Sequence, residues 1–199
     1  MAGTRPYRMG VRAASTERTR RRLLSAARAE FLTRPYDDVR LARVAAAAGV
    51  SQQTLLNHFT SKENLFLAVL DELGAEIRAA RAPVPRGDVD AAVAQLLREY
   101  EEYGDAYAFL LPAVERAPDL LGGVLATART THTSWLADVF GDVLPHDPRH
   151  RRRVLAALYA STDVGTWKLL RRDLGRSRAE TGATLRLMLR AVLAAAAGP

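Results

Sequence analysis

The sequence has 199 residues, of which 48% are hydrophobic and 26% charged, with a net charge of +7 and no cysteine. This composition supports a packed core, and it excludes disulfides, thiol nucleophiles and cysteine-ligated metal centres. The histidine spacing matches no metal site and no apolar run reaches the roughly 18 residues that span a membrane, so we expect a cytoplasmic protein that uses no metal and no cofactor.

The charge is unevenly distributed along the chain. Residues 1–62 contain 12 Lys and Arg against 4 Asp and Glu, a net charge of +8, whereas residues 63–199 contain 17 against 18, a net charge of −1. A genomic bias toward arginine would spread the basic residues evenly, so it does not explain this difference. A basic segment beside a nearly neutral one indicates a polyanionic partner, such as nucleic acid, for the first third of the chain alone.

The N-terminal segment 1–14 is typical of a flexible basic arm. Its arginines are Arg5, Arg8 and Arg12. Such an arm either contacts DNA or is an idle tail, and both interpretations stay open. A first helix is predicted to begin near Ser15 or Thr16, either of which can cap it, and to end before Pro35.

The helical periodicity continues through the rest of the chain. Gly49 separates a short second helix from a third that Ser51 caps, and Ser61 caps a fourth. A segment rich in Pro and Gly follows at 82–87. Further helices are predicted over 88–103, 106–115, 119–141, 148–173 and 178–196. Because no segment shows the two-residue period of a strand, we predict an all-α fold.

Residues 41–59 have the pattern of a helix-turn-helix. Ala45 is small where two helices must approach closely, and Gly49 allows the left-handed conformation of a tight turn. Val50 and Leu55 provide the apolar contacts between the two helices. A helical hairpin rich in alanine can show part of this pattern, but the basic first third supports the DNA-binding interpretation independently.

The second helix of this motif carries polar side chains where a recognition helix meets DNA. Gln52 and Gln53 lie at its N-terminus, where a glutamine can pair bidentately with adenine. Asn57 and His58 lie one turn further on, in positions that suit phosphate oxygens. Lys62 lies at the positive end of the fourth helix, where a phosphate would be attracted by free N–H groups and by the ammonium.

This part of the chain resembles the DNA-binding domain of TetR-family transcriptional regulators. The resemblance is carried by Tyr36-Asp37, Val44-Ala45, Ala48-Gly49-Val50-Ser51, Thr54-Leu55, His58-Phe59, Ser61-Lys62-Glu63 and Leu65. It implies an N-terminal three-helix DNA-binding domain at 15–62 and a larger helical ligand-binding and dimerisation domain at 63–199. It also implies a homodimeric repressor that a small molecule releases from a palindromic operator in double-stranded DNA.

The chain departs from the family pattern at three places. Leu56 stands where the family usually has a phosphate-contacting Tyr, so Asn57 is the expected substitute. Pro35 stands where the family usually has Gly. Near Arg40 the family usually has Ser or Thr as a helix cap, so Asp38 is the expected cap and Arg40 a further phosphate contact. The predicted DNA-binding residues are Arg40, Ser51, Gln52, Gln53, Thr54, Asn57, His58 and Lys62.

Residues 88–199 are nearly neutral and apolar, so they are not predicted to read DNA. The resemblance implies an effector pocket among the middle helices, and ordinary core packing is the alternative for the aromatic residues there. The candidate effector residues are Tyr103, Tyr107, Arg116, His132 and Trp135. A buried Arg116 would favour an acidic effector, whereas pairing with Glu115 or Asp119 would place it on the surface.

The last two long helices carry apolar faces that suit an intermolecular four-helix bundle. The predicted dimer residues are Leu155, Leu158, Leu185, Met188, Leu189 and Val192, and burial within one subunit is the alternative. In a twofold dimer, recognition helices about 34–36 Å apart occupy successive major grooves. An effector that favours another spacing, transmitted through the fourth helix at 61–81, would lower the affinity for DNA.

Three other functions stay open on the sequence: an activator of the same fold, an architectural protein that binds DNA without sequence preference, and a small all-α enzyme. Nucleophile, zinc-protease, phosphate-loop and dinucleotide motifs are absent from the sequence, so we predict a non-enzymatic protein. A preference for one operator over random duplex would separate a regulator from an architectural protein.

Overall fold

The computed structural model describes the backbone of residues 5–116 and 118–196, and the side chains of residues 13–107 and 123–196. The fold is all-α as predicted, and the described residues include no strand. The chain divides into two compact units, Met1–Leu73 and Gly74–Pro199. No helix in the described ranges combines the length and the apolar character that crossing a membrane requires.

The first unit is built from helices that surround a small aromatic core. They are α1 (Arg5–Thr33), a 3-10 turn (Tyr36–Asp38), α2 (Leu41–Ala47), α3 (Gln52–Phe59) and the first part of α4 (Lys62–Arg81). The Phe66 ring packs against both Phe31 and Tyr36, with centroids 4.8 and 5.0 Å away. Leu55 and Leu65 are fully buried, so the short helices are held by their apolar faces.

Helix α1 begins ten residues earlier than the predicted start at Ser15. Residues 5–14, predicted as a flexible arm, have helical backbone, while residues 1–4 lie outside the described part of the chain. Pro6 is the second residue of the helix, where its missing N–H removes no intrahelical bond. The Ala and Arg residues that follow are strong helix formers, and they continue the helix through Gly10.

The second unit contains the C-terminal part of α4 and longer helices. They are α5 (Val89–Arg116), α6 (Pro118–Phe140), α7 (Pro148–Thr162), α8 (Val164–Lys168) with a π-helical turn (Leu169–Asp173), and α9 (Arg178–Ala196). Two predicted boundaries were wrong. Helix α5 continues through the predicted break after residue 103, and the predicted helix 148–173 is interrupted at Asp163, whose side chain accepts a hydrogen bond from Gly165 N and caps α8.

Helix α5 runs through the core of the second unit. Its residues Val93, Leu96 and Tyr100 are almost fully buried, together with Leu136 of α6 and Leu158 of α7. The Tyr100 hydroxyl donates a 2.7 Å hydrogen bond to the carbonyl oxygen of Thr162 at the end of α7. The apolar core of this unit therefore encloses a polar cluster, whose chemistry is described below.

Candidate functional site

The turn between α2 and α3 has the geometry of a helix-turn-helix. Gly49 has φ +67°, the left-handed conformation that the sequence predicted for it. Its N–H bonds to Ala46 O at 3.0 Å, and Val50 N bonds to Ala45 O at 3.0 Å. These two bonds form a Schellman motif, which ends α2 sharply and sets the direction in which α3 leaves the turn.

The N-terminus of α3 is fixed by its own hydroxyl groups. Ser51 Oγ accepts a 3.1 Å hydrogen bond from Thr54 N, and it lies 2.9 Å from Thr54 Oγ1. Both side chains were predicted to contact DNA; in the structure Ser51 caps the helix, and the Thr54 hydroxyl contacts the Ser51 hydroxyl. The exposed amides of Gln52 and Gln53 are therefore presented from a rigid helix end.

Gln53 is connected to the next turn of α3. Its Nε2 donates a 3.0 Å hydrogen bond to Asn57 Oδ1, and both side chains are exposed. This bond uses one of the two Nε2 hydrogens, so Oε1 and the second hydrogen stay available to a base edge. His58 is half-buried, with its ring centroid 6.3 Å from that of Phe59.

Lys62 begins α4 and is held close to the 3-10 turn. Its Nζ lies 4.4 Å from the centroid of the Tyr36 ring and 3.4 Å from Asp37 O. Partial burial lowers its pKa, and the carboxylate of Asp37 opposes this effect. Arg40 is exposed at the N-cap of α2 and makes no side-chain cap bond there. The expected cap Asp38 lies in the 3-10 turn instead, so that prediction was wrong.

Sequence reasoning missed the arginines in the middle of α1. The Arg20 guanidinium lies 5.3 Å from the centroid of the Phe59 ring at the end of α3. The Arg22 guanidinium lies 3.8 Å from the position of a Cβ on Gly49, beside the turn. Helix α1 therefore adds positive charge next to the helix-turn-helix, and the dense arginine run from residue 18 to residue 22 was the available signal.

In the second unit, Arg81 and Glu99 form a buried ion pair. Arg81 Nε and Nη2 donate to the two carboxylate oxygens of Glu99 at 2.8 and 2.7 Å, and only 6% and 5% of these residues is exposed. The guanidinium also stacks on Trp135, 4.8 Å from its centroid. Burial raises the pKa of Glu99 and Arg81 opposes that shift, because the ion pair favours the charged carboxylate.

His132 extends this pair toward α7. Its Nδ1 lies 2.8 Å from Arg81 Nη1, and its Nε2 lies 2.8 Å from Thr162 Oγ1. Since the guanidinium can only donate, Nδ1 accepts and Nε2 carries the proton. Burial and the adjacent Arg81 lower the pKa of His132 from 6.5 to about 3, so the ring is neutral.

The structure brings together part of the predicted effector set. His132 and Trp135 lie in the polar cluster, with ring centroids 5.8 Å apart. Tyr107 is half-buried, and burial and the nearby Glu99 raise its pKa. Tyr103 lies one turn earlier on α5 and is also half-buried, while the side chain of Arg116 lies outside those that the structure describes. Arg81, Glu99 and Thr162 were not predicted, because they lie on three separate helices that only the folded structure brings together.

The predicted dimer residues fall into two groups. Leu158, Leu185 and Leu189 are at most 1% exposed and fill the core of their own subunit, so they offer no surface to a partner. Leu155, Met188 and Val192 are half-buried. The exposed residues of α7 and α9 include small side chains and one leucine, 70% exposed, beside exposed arginines: Ala156, Ala160, Ala183, Leu187 and Ala191, with Arg152, Arg153 and Arg190.

Comparisons with known proteins find similarity to bacterial transcriptional regulators. The family described as "Bacterial regulatory proteins, tetR family" matches residues 23–69. The HTH-type transcriptional regulatory protein RaaS of Mycobacterium tuberculosis is 31% identical over 121 residues. That alignment covers 59% of this chain and 57% of the relative, so the chain matches little more than half the length of this curated relative.

Solved structures show the same fold over nearly the whole chain. A tetR-family transcriptional regulator from Streptomyces coelicolor superposes with a TM-score of 0.75 at 18% identity, covering 91% of this chain and 82% of that one. A transcriptional regulator from Rhodococcus sp. Rha1 superposes with a TM-score of 0.64 at 22% identity, covering 93% and 99%. These likenesses establish the fold.

Proposed function

We propose that the chain is a TetR-family transcriptional regulator, and that it is a homodimeric repressor that a small-molecule effector releases from a palindromic DNA operator. The observation that carries the proposal is the capped N-terminus of α3. The left-handed Gly49 and the Ser51 cap hold that helix end, and they leave the amides of Gln52 and Gln53 exposed.

In this proposal the side chains of the first unit have distinct roles on DNA. Gln52 and Gln53 contact base edges in the major groove, where glutamine pairs best with adenine. Asn57, Lys62 and the exposed Arg40 contact phosphates and fix the orientation of the helix. Ser51 and Thr54 act indirectly, because the Ser51 hydroxyl already caps α3 and the Thr54 hydroxyl contacts it.

The dimer is proposed to form through the outer faces of α7 and α9. Ala156 and Ala160 on α7 and Ala183 and Ala191 on α9 are exposed, and small side chains allow helices of two subunits to approach closely. Leu187 lies among them and is 70% exposed, more than any other large hydrophobic side chain that the structure describes. A twofold dimer would present two copies of α3 to an operator with inverted half-sites.

The effector is proposed to bind in the second unit, beside the polar cluster. Tyr107 is half-buried and offers aromatic surface there, beside the buried His132, Trp135 and Arg81–Glu99 pair. An effector that binds better to one arrangement of the dimer lowers DNA affinity by the difference in its binding free energy between the two arrangements.

Footprinting of the purified protein on DNA that flanks its own gene tests the proposal. We expect protection of two inverted half-sites whose centres are about one helical turn of DNA, or a multiple of it, apart. An excess of random duplex serves as the competitor. Equal binding to random duplex would indicate an architectural protein, and the loss of reporter expression on deleting the gene would indicate an activator.

The molar mass in solution tests the dimer. Light scattering should give twice the chain mass for the wild type, and Leu187→Arg should yield monomers because it places a charge in the proposed interface. Val143→Arg is the matched control, since Val143 is 47% exposed in a 3-10 turn outside α7 and α9. A monomeric wild type would contradict the proposed dimer.

A further inference from the structure

Arg81 is the last residue of α4, and the second unit holds it by both its side chain and its main chain. The guanidinium donates to Glu99 of α5 through two nitrogens and to His132 of α6 through the third. Trp135 Nε1 lies 3.4 Å from the carbonyl oxygen of Arg81, and its ring stacks on the guanidinium. The C-terminus of α4 is therefore fixed in position and in rotation.

The hydrogen bonds continue from His132 into α7. Thr162 Oγ1 lies 2.8 Å from His132 Nε2 and donates a 2.8 Å hydrogen bond to the carbonyl oxygen of Leu158. Each polar atom along this path has a partner, so moving Arg81 would leave at least one buried polar group unpaired. The path thus gives α4 one preferred position against α5, α6 and α7.

Stability alone does not account for such a pair. Burying two charges costs desolvation free energy, and apolar residues of similar volume often stabilise a protein equally well. A cation at the end of α4 could also interact with the helix dipole from the surface, as the exposed Arg78 does one turn earlier. The buried pair adds a directional contact that fixes the position of the C-terminal end of α4.

We propose that the Arg81–Glu99 pair is a positioning element for operator recognition, which fixes the C-terminal end of α4 and thereby restricts the helix-turn-helix of each subunit. The inference rests on the proposed function. Helix α4 is continuous from Lys62 to Arg81, so its first turn belongs to the DNA-binding unit and its last residue to the polar cluster. A fixed α4 favours one spacing between the two recognition helices, and a loosened α4 allows several.

The test uses a variant that removes the directional bonds and keeps the packing. Arg81→Met together with Glu99→Leu replaces the pair by apolar side chains of similar volume, and circular dichroism establishes that the variant is folded. If it does not fold, Arg81→Leu with Glu99→Met is the second variant, because it also lacks the directional bonds and divides the apolar volume differently between the two positions. Arg78→Met is the matched control, with the same substitution on the exposed side of the same helix.

Operator spacing provides the first measurement. Affinities are measured for the footprinted operator and for versions with one or two base pairs inserted between its half-sites. The wild type and Arg78→Met should bind the natural spacing at least tenfold better than the altered ones. The double variant should lose most of this discrimination, whereas a merely destabilised protein would bind every operator more weakly by one common factor.

A distance within one subunit provides the second measurement, and it needs neither DNA nor a dimer. The chain has no cysteine, so Ala46→Cys in the first unit and Ser134→Cys in the second can be spin-labelled selectively, and both positions are exposed. Labelled protein is diluted with unlabelled protein, so that distances within a subunit dominate. We expect a narrow distribution in the wild-type background and a clearly broader one in the double variant.

Failure of the proposed function and failure of the positioning role give different results. A wild type that prefers no duplex contradicts the proposed function, while the distance distributions still test the positioning role. Equal distributions and equal spacing preference in the wild type and the folded double variant would overturn the role of the pair, whatever the operator is.

Discussion

Trp167 occupies the space that a side chain at residue 104 would need. A Cβ placed on Gly104 would lie 2.3 Å from the nearest ring carbon of Trp167, far inside van der Waals contact. The indole is fully buried, and its Nε1 donates to Glu101 Oε1 at 3.3 Å. The Arg172 guanidinium lies over the indole, 4.7 Å from the ring centroid. The missing side chain of Gly104 therefore allows α8 to pack directly on α5.

Substituting this glycine should destabilise the protein, although alanine is the better helix former. We expect Gly104→Ala to lower the free energy of unfolding by about 1–3 kcal/mol, because a methyl group must displace a buried indole. Gly123→Ala is the matched control in α6, where a Cβ meets nothing within 4 Å, and it should be stabilising by up to about 1 kcal/mol. Urea denaturation measures both, and equal stabilities would contradict the packing role.

Gly104 also illustrates a limit of sequence reasoning in this fold. The sequence predicted a break after residue 103, and glycine is disfavoured inside a helix by local preference. The helix nevertheless continues through Gly104, where Trp167, more than sixty residues later in the chain, leaves no room for a side chain. The helical periodicity, the turn at Gly49 and the cap at Ser51 are local features, and these predictions were confirmed.

The neutral state of His132 predicts acid sensitivity. Its pKa is about 3 in the folded chain and about 6.5 when unfolded, so between these values the unfolded chain binds more protons. The contribution of neutral His132 to the free energy of unfolding is thus fully present above about pH 6.5, and it is lost as the pH falls below that value. At about pH 5 the loss should be roughly 2 kcal/mol relative to neutral pH.

The variant His132→Asn isolates this effect. Its amide oxygen can accept from Arg81 as Nδ1 does, and it does not titrate between pH 5 and neutral pH. Urea denaturation at both pH values should give a smaller decrease for His132→Asn than for the wild type, with the exposed His146→Asn as the control. The raised pKa of Glu99 acts in the opposite direction and is present in all three proteins. Identical decreases would contradict a neutral buried His132.

Thr60 stores backbone strain between α3 and α4. It has φ +56° and ψ −39°, and Ser61 N bonds to Phe59 O across it, which forms a γ-turn that β-branched residues strongly disfavour. Its hydroxyl donates to Phe59 O and accepts from Asn64 Nδ2, both at 2.7 Å. Thr60→Gly and Thr60→Val both remove the hydroxyl, but only glycine relieves the strain.

We therefore expect Thr60→Gly to be more stable than Thr60→Val by about 1–3 kcal/mol. Thermal unfolding of the two variants under identical conditions gives this difference, because the lost hydroxyl bonds are common to both. A valine variant as stable as the glycine variant would mean that the turn relaxes without strain.

The Gln53–Asn57 hydrogen bond predicts a shared effect on base preference. Gln53→Ala should cost about 1–3 kcal/mol at one operator position and relax the preference there. Asn57→Ala should relax the same position more weakly, since Gln53 then loses the bond that orients its amide. Gln52→Ala serves as the control, because its exposed side chain should affect a different position. Affinities for single-base operator variants measure these base preferences. If Asn57→Ala left the base preference unchanged at every position, the proposed pairing would be contradicted.

The contrast between the two units explains what could be predicted about the site. Gln52, Gln53 and Lys62 were identified because a recognition helix presents consecutive residues of one short segment. Arg81 and Glu99 were not, because each is a single charge in an amphipathic helix, where a solvent-exposed face is the ordinary expectation. Only the packing of α4, α5, α6 and α7 shows that the two side chains face one another.

Lys62 should contribute to DNA binding through charge alone. Its Nζ is held over the Tyr36 ring at the first turn of α4, and a phosphate there would interact with both the ammonium and the free N–H groups of the helix end. Lys62→Gln should weaken binding to operator and random duplex alike and reduce the salt dependence by about one unit for each subunit bound. Lys168→Gln is the matched control, as the only other lysine of the chain, paired with Asp173 in the second unit. A change in base preference without a change in the salt slope would assign Lys62 to base reading instead.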